Sequence, residues 1–260
     1  MSSAAEMLMM EEVERPKSAA GEVELPCGYL TREGEIYTDA SVREITGSEE
    51  DMLSSATVPS DKKFNELLIR CTTRIGPESD PATIRAMLPL LPIGDRISLL
   101  FGIRRITLGD IYPFQVQCPS CAALSSFHIN LGELDVKKMK DPKTRVFDET
   151  LPSGKKVRFR VMTGADEEKV KKAAKKFKDD GPSLAILARL ELLNEAPPTL
   201  PGVKGLGMRD RNFLRKKFEE VEGGVDTSLE ITCPACAHEF NSEMNISGKE
   251  FFFPSEESSP

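Results

Sequence analysis

The sequence carries two matching stretches, Gln115-Val116-Gln117-Cys118-Pro119-Ser120-Cys121 and Glu230-Ile231-Thr232-Cys233-Pro234-Ala235-Cys236. In each, a short strand leads into a Cys-Pro-x-Cys turn, a knuckle, which directs both thiols into one space. Two knuckles supply four sulfurs, the tetrahedral ligand set that Zn²⁺ prefers. The pattern therefore predicts a structural zinc site formed by Cys118, Cys121, Cys233 and Cys236.

Other uses of these cysteines fit the pattern less well. A thioredoxin-like redox site would place a single C-x-x-C at the start of a helix, whereas both motifs here follow strands. Four thiolates leave no open position for a catalytic zinc. His238 is a rival ligand two residues after Cys236, but the equivalent residue of the first knuckle is Ala123, so a surface position is predicted for it. His128 likewise has no matching histidine.

The knuckles belong to a longer internal match. When the sequence is shifted by 115, residues 94–131 lie on 209–246 without a gap, and nine of 38 positions are identical. Unrelated sequence would give roughly two identities. Upstream, Leu25-Pro26-Cys27-Gly28 corresponds to Leu151-Pro152-Ser153-Gly154, with a longer hairpin expected in the first copy. We therefore predict two tandem copies, each of which supplies one knuckle of the shared site.

The predicted organisation has five segments. They are a disordered N-terminal arm 1–21, repeat copy 22–136 with the first knuckle, linker 137–144, repeat copy 145–250 with the second knuckle, and C-terminal tail 251–260. In the simplest arrangement both knuckles of one chain complete the zinc site, which lies near a pseudo-twofold axis. The competing arrangement is a zinc-bridged dimer.

The same plan is expected in each copy: a strand pair, helices and a knuckle between strands. The fold class is therefore α+β, two tandem units joined by a shared zinc ribbon of four cysteines. Thr46 with Glu49, and Thr163 with Asp166, mark helix starts. A second helix is expected to continue through Ile75 in one copy and Leu193 in the other. Asp95 and Asp210 are interpreted as N-caps of a third helix, with the following Arg facing solvent or paired with the Asp.

Composition excludes several classes of protein. The 260 residues carry a net charge of -7, and an apolar stretch at 84–106 is interrupted by Pro89, Pro92, Asp95 and Arg96, so no membrane span is expected. The N-terminus lacks the pattern of a secretory signal. Residues 137–178 hold fifteen bases and six acids. This basic stretch favours a solvated helix face or an acidic partner, and nucleic-acid binding is not expected of so acidic a chain.

Two further features complete the prediction. Phe251, Phe252 and Phe253 are expected to pack on the protein's own core, with anchoring to a partner as the alternative. Cys71 lies on the apolar stripe of a helix and is interpreted as a small buried hydrophobe. No phosphate-binding loop, nucleophile elbow or H-E-x-x-H motif occurs in the sequence, so the protein is not expected to be an enzyme.

Four motifs together resemble a known family. They are Glu24-Leu25-Pro26-Cys27-Gly28-Tyr29-Leu30, Arg43-Glu44-Ile45-Thr46-Gly47-Ser48-Glu49-Glu50-Asp51-Met52-Leu53, Gly94-Asp95-Arg96 and the first knuckle. The chain resembles the phage-T4-type baseplate and tail-assembly proteins of contractile-tailed bacteriophages and related injection systems. In that family a Leu-Pro-x-Gly hairpin leads into a Thr-Gly-x-(Asp/Glu) helix start. The two copies and the zinc pair depart from its simpler members.

The resemblance implies a non-enzymatic structural or assembly adaptor whose partners are other tail or baseplate proteins. It implies a location in the cytoplasm of the bacterial host during assembly, with the tail or baseplate of the virion as a second location. The alternative is a zinc-ribbon protein that binds nucleic acid or serves as a general interaction module. The sequence leaves the oligomeric state open.

Overall fold

The computed structural model describes residues 21–244, 246 and 251–253. The predicted arm 1–21 lies outside these residues except for Gly21, as does most of the tail 251–260. The described chain is mixed α+β, with helices arranged around several small antiparallel sheets. None of the helices within this range is long and apolar enough to cross a bilayer.

The first half, residues 21–137, starts with a hairpin, continues through four helices and a third strand, and then forms a two-stranded ribbon followed by a short last strand. Its elements are β1 Gly21–Leu30, β2 Ile36–Val42, α1 Gly47–Ser54, α2 Ser60–Cys71, β3 Thr72–Ile75, α3 Pro81–Met87, α4 Ile93–Leu108, β4 Ile111–Gln117, β5 Leu124–Asn130 and β6 Val136–Lys137.

The second half follows the same order of strands and helices, except that its short additional strand comes before its ribbon rather than after it. Its elements are β7 Val146–Thr150, β8 Lys156–Arg160, α5 Gly164–Lys176, α6 Gly181–Arg189, β9 Leu190–Leu193, α7 Leu200–Lys204, α8 Met208–Val221, β10 Gly224–Val225, β11 Ser228–Thr232 and β12 Glu239–Glu243.

Each half contains one three-stranded antiparallel sheet, ordered β1-β2-β3 and β7-β8-β9. In the second sheet the Leu151–Gly154 motif is the hairpin turn itself, because the Leu151 N–H donates to Lys155 O at 2.8 Å. In the first sheet the matching motif lies in a bulge of β1, and the turn comes later, where the Thr31 N–H donates to Glu35 O at 2.9 Å. The first hairpin is therefore the longer one.

Capping boxes start the first helix of each half, as the sequence predicts. The hydroxyl of Thr46 donates to the Glu49 carboxylate at 2.7 Å, and the Thr46 N–H donates to it as well. Thr163 and Asp166 make the same contacts. An arginine at the end of the preceding strand, or one residue after it, also binds each carboxylate: Arg160 binds Asp166, and Arg43 binds Glu49. Both helix starts are thus fixed to their sheets.

The predicted second helices are wrong in their C-terminal parts. Helix α2 ends at Cys71, and Ile75 lies in β3, which pairs with β2. Helix α6 ends at Arg189, and Leu193 lies in β9, which pairs with β8. Ile75 and Leu193 fit the helical spacing of apolar residues by coincidence, because each is the apolar last residue of a short strand. The segment leaves the helix because the free edge of the central strand, β2 or β8, offers hydrogen-bond partners to its backbone.

The largest hydrophobic core joins both halves of the chain. It contains helices and strands of the first half together with Leu229, Ile231 and Met244 of the last ribbon. A smaller core lies between the sheet and helices of the second half, around Phe159 and Leu214. The last ribbon therefore packs on the first half of the molecule.

The phenylalanines at 251–253 dock on this larger core. Phe251 and Phe252 are fully buried, and the Phe251 ring lies 5.3 Å from that of Phe101 and 5.4 Å from that of Tyr112. The buried guanidinium of Arg104 donates to Phe251 O and also to the carbonyls of Gly109 and Ile111. Self-docking, rather than exposure for a partner, accounts for this run.

Candidate metal centre

Two antiparallel ribbons carry the knuckles. Strands β4 and β5 pair from Ile111↔Asn130 to Gln117↔Leu124, and β11 and β12 pair from Ser228↔Glu243 to Thr232↔Glu239. Each ribbon ends in the same turn. The Cys118 N–H donates to Ala123 O at 2.9 Å, and the Cys233 N–H donates to His238 O at 2.9 Å.

A residue in the left-handed region closes each knuckle. Ala122 and Ala237 both have φ of 58°, and their N–H groups donate to the carbonyls of Cys118 and Cys233, both at 2.9 Å. This conformation is costly for most side chains, and a small alanine limits the crowding. The repeated conformation brings the two thiols of each knuckle to the same side of the turn.

The four cysteine sulfurs meet at one point. Cys118 Sγ lies 3.7 Å from Cys236 Sγ, and Cys121 Sγ lies 3.7 Å from Cys233 Sγ. All four Sγ atoms lie within 4.8 Å of one another, and none is in a disulfide. Sulfurs bound at ~2.3 Å to one tetrahedral zinc ion lie about 3.8 Å apart. The residues present therefore form a group that could hold a metal ion, and both knuckles come from one chain.

The centre is half sheltered. Cys118 and Cys233 are buried, whereas Cys121 and Cys236 are exposed. Burial raises the pKa of the Cys118 thiol, but hydrogen bonds from the N–H groups of Cys121 and Ser120 outweigh it and lower that pKa to about 6. A thiolate at Cys118 is thus favoured near neutral pH, and the thiolate is the form that binds metals.

A second thiol in the cluster resists ionisation. A hydrogen bond from the His238 backbone lowers the pKa of Cys236, but the nearby sulfurs of Cys121, Cys233 and Cys118 together with burial outweigh it and raise that pKa to about 12. Several thiolates crowded together repel one another unless a cation offsets their charge. Chemically, the arrangement suits metal coordination with all four positions filled, which leaves no site for a substrate.

The remaining cysteines and both histidines lie outside the cluster. The His238 ring stacks on Phe240, with 6.1 Å between centroids, and His128 is on β5. Cys71 is buried at the end of α2, in agreement with its interpretation as a small hydrophobe. Cys27 is buried where the two halves meet, and the Gly223 N–H donates to its sulfur at 3.3 Å. Burial raises the pKa of Cys27 to about 12.

The interpretation of Asp95 and Asp210 as helix N-caps is wrong. Both lie inside their helices, in the first turn, and both are buried. Asp95 Oδ1 accepts from the Cys27 N–H at 2.7 Å, and Asp210 Oδ1 accepts from the Ser153 N–H at 3.0 Å. Each Asp therefore holds the Leu-Pro-x-Gly segment of its own half against the helix. The separations differ, 68 residues from Cys27 to Asp95 and 57 from Ser153 to Asp210, but the presence of both motifs in both halves could have suggested this pairing.

The arginines after these Asp residues are also buried rather than solvent-facing or paired with the Asp. Arg96 donates to Leu88 O at 2.9 Å and to the Asn65 side chain. Arg211 donates to Val203 O at 3.2 Å and to Ser183 Oγ at 3.1 Å. Leu88 and Val203 are 115 residues apart in sequence, like the arginines themselves. The Asp-Arg pairs are thus matched structural anchors in the two halves.

Comparison with known protein families gave a match. The family model described as T4 bacteriophage base plate protein matches residues 30–181, more than half of the 260 residues. The matched region includes all the elements of the first half after β1 and continues through α5 of the second half. Searches of curated proteins and of solved structures gave no match.

Proposed function

The chain belongs to the T4 bacteriophage base plate protein family, and from that premise we propose that it is a structural or assembly adaptor of a contractile phage tail baseplate or a related injection system. The family match over residues 30–181 is the observation that carries this proposal. The metal centre is consistent with it, because four cysteine ligands stabilise a fold and leave no position for catalysis. The protein is proposed to act without enzymatic chemistry.

We propose Zn²⁺ as the metal and Cys118, Cys121, Cys233 and Cys236 as its ligands. Tetrahedral sets of four thiolates select zinc or iron–sulfur clusters. Two short Cys-Pro-x-Cys knuckles at the ends of ribbons are typical of zinc ribbons. The sulfur separations of 3.7 Å support a single ion shared by both knuckles.

We also propose that residues 22–136 and 145–250 are tandem copies of one unit, joined by 137–144. Matched element order, matched Asp contacts and matched knuckles support this. Each unit's trailing segment also crosses to the other unit: Val136 and Lys137 pair with Val225 and Gly224, whereas Phe251 binds near Gly109 through Arg104. Val136 and Phe251 are 115 residues apart, as are Gly109 and Gly224. Each contact therefore has its counterpart in the other unit, as expected around a pseudo-twofold axis through the metal.

The proposed partners are other tail or baseplate proteins. Assembly would take place in the cytoplasm of the bacterial host, and the protein would either remain in the virion tail or leave after helping to build it. Both roles require the same thing of the fold, a rigid body that presents fixed surfaces. The metal and the exchanged segments provide that rigidity.

Deletion of the gene tests the proposal. Host cells that produce the phage or injection system without this gene should accumulate tail components but no complete baseplates. Electron microscopy of the lysates checks this. A plasmid copy of the gene should restore them. Complete, functional tails from the deletion would contradict the proposed role.

A further inference from the structure

A groove runs between the two ribbons below the metal centre. It is a cavity of about 380 Å³. One side is formed by Phe114, by β5 and by the segment after it, and the other side by Asp226 and β11. Its lining residues include Phe127, His128 and Ile129 on one side and the whole of Ser228–Thr232 on the other.

The groove follows the unpaired edges of both strands. Neighbouring side chains of a strand point to opposite faces, so a cavity that touches five consecutive residues must lie along the strand's edge. Strand β11 pairs only with β12, and β5 pairs only with β4, among the strands of the described residues. The bond from the Cys233 N–H to His238 O sets the alternation, which directs the backbone groups of Glu230 and Thr232 to the groove. By the same reasoning His128 presents its backbone from β5.

The groove has an apolar floor and an acidic rim. Phe114, Phe127, Leu229 and Ile231 supply apolar surface. Four carboxylates line it as well, those of Glu133, Asp135, Asp226 and Glu230, and no Lys or Arg occurs among the described lining residues. Hydrogen bonds from the Ser228 hydroxyl and N–H lower the pKa of Asp226, so this carboxylate stays charged.

We propose that this groove binds an extended, basic segment of a partner protein by strand addition. Unpaired strand edges accept a further strand through backbone hydrogen bonds, and pockets for alternate side chains give specificity. Alternating apolar and basic residues would place the apolar side chains on the floor and the Lys or Arg side chains at the rim. The acidity of the rim disfavours a nucleic acid as the occupant. The inference rests on the proposed adaptor role and names the chemistry of its partner.

The metal centre helps to position the two strand edges that form the groove. The two ribbons are separate sheets, and the distance between their free edges depends on what joins them. At one end the ribbons are joined by the knuckles, whose four sulfurs meet at the metal centre. At the other end they are joined by a hydrogen bond in which the Asp226 N–H donates to Asp135 O at 2.8 Å. The two free edges are therefore joined at both ends of the groove.

The probe is an eight-residue peptide of alternating lysine and valine, blocked at both ends, titrated into the zinc-supplemented full chain by calorimetry. We expect it to bind at least about tenfold more tightly than the same peptide with glutamate in place of lysine. A lysine–valine peptide with N-methylated backbone amides should lose at least about tenfold in affinity, since strand addition needs its N–H groups. Equal binding of all three peptides would overturn the inference.

Variants locate the binding site. Glu230→Pro removes an N–H that points into the groove and makes no bond within the ribbon, so the variant should fold and keep its zinc. Its affinity for the lysine–valine peptide should fall at least about tenfold. Glu243→Pro is the matched control, because it makes the same change on the partner strand, whose free edge lies outside the groove. Equal affinities of these two variants would count against the groove.

Charge reversal gives a second, independent readout. The double variant Asp135→Lys with Glu230→Lys should prefer the glutamate–valine peptide, which reverses the order seen with the wild-type chain. An unchanged order would contradict the proposed role of the rim.

Complementation separates this inference from the proposed function. If the gene deletion blocks baseplate assembly and the Glu230→Pro gene restores it fully, the groove is not the partner site, although the adaptor role stands. If the deletion leaves assembly normal, the adaptor role fails whatever the peptides show. Restoration by Glu243→Pro but not by Glu230→Pro supports both.

Discussion

Asp95 is a buried acid in surroundings that disfavour its charge. Its carboxylate is fully buried, and Oδ2 has no hydrogen-bond partner among the described residues. Burial raises its pKa from 3.8 to about 6, although the Cys27 N–H and the charge of Arg145 both act to lower it. The chain keeps a partly unsatisfied charge in its interior because the other oxygen fixes the Leu-Pro-x-Gly segment.

The raised pKa of Asp95 predicts a particular pH dependence of stability. Because the folded pKa lies above the unfolded one, the stabilising effect of protonation is complete below about pH 4 and is lost as the pH rises through 6. The shift corresponds to about 3 kcal/mol at most. Relative to wild type, Asp95→Asn should therefore gain stability in urea unfolding between about pH 4.5 and 7.5.

The pH dependence of metal binding does not affect this comparison. Wild type and Asp95→Asn have the same four cysteines, so its contribution cancels in the difference between their free energies of unfolding. Asp148→Asn is the control: Asp148 is exposed and its pKa is lowered by a hydrogen bond from Arg158, so the sign of its pH dependence is opposite. A difference between wild type and Asp95→Asn that stays constant across the pH range would refute the assignment.

The four cysteines of the metal centre are expected to act as a set. The purified chain should contain about one zinc ion, and Cys233→Ser should lose it, because three thiolates bind the ion far less well. The variant should also unfold at markedly lower denaturant concentration, since metal binding contributes directly to folding. Elemental analysis checks the first expectation. Cys71→Ala, which removes a thiol remote from the cluster, should retain the zinc.

Among the elements, those specified by neighbouring residues were predictable and those specified by distant contacts were not. The knuckles and the Thr-x-x-Glu and Thr-x-x-Asp helix starts depend on residues within a few positions, and the structure contains both. Strand β3 exists because β2 offers it a partner 30 or more residues away, and nothing in the helical spacing before Ile75 reveals this. The role of Asp95 needs Cys27, 68 residues earlier.

The docked phenylalanine segment is an element whose contribution can be measured. Phe251 is 0% exposed and packs on the rings of Phe101, Tyr112 and Phe252. Phe251→Ala should destabilise the protein by roughly 3–5 kcal/mol, the usual cost of emptying a buried aromatic site. Phe177→Ala is the control, because that ring is 48% exposed and should cost little. Equal melting temperatures for the two variants would mean that the segment does not dock in solution.

For the whole molecule, the meeting of both knuckles within one chain bears on its oligomeric state. Because all four sulfurs come from the same chain, we expect zinc-loaded protein to have the mass of a single 28.7 kDa chain in light scattering at low concentration. Dilution should not release the zinc. A dimer that dissociates only when a chelator removes the metal would instead support the zinc-bridged arrangement.

The charge of the whole molecule leads to a prediction about nucleic acid. The net charge is -7, and lysines of α5 form ion pairs with glutamates one turn away, such as Lys171 with Glu167. The basic stretch 137–178 is thus partly neutralised. We expect little affinity for duplex DNA at physiological salt in fluorescence anisotropy, and tight binding that weakens steeply with salt would contradict the adaptor role.

The pairing of Cys121 with Cys233 spans 112 residues of sequence, and this has a consequence for how the protein is made on the ribosome. At roughly 5–20 residues per second, translation takes several seconds or more to deliver the second knuckle after the first has emerged. During that interval the nascent chain carries half a metal site and a first-half core still lacking Leu229, Ile231 and Phe251. A ribosome that stalls before residue 233 therefore releases a product that can neither close the site nor complete the core, and such a product is open to proteolysis before it can enter an assembling tail.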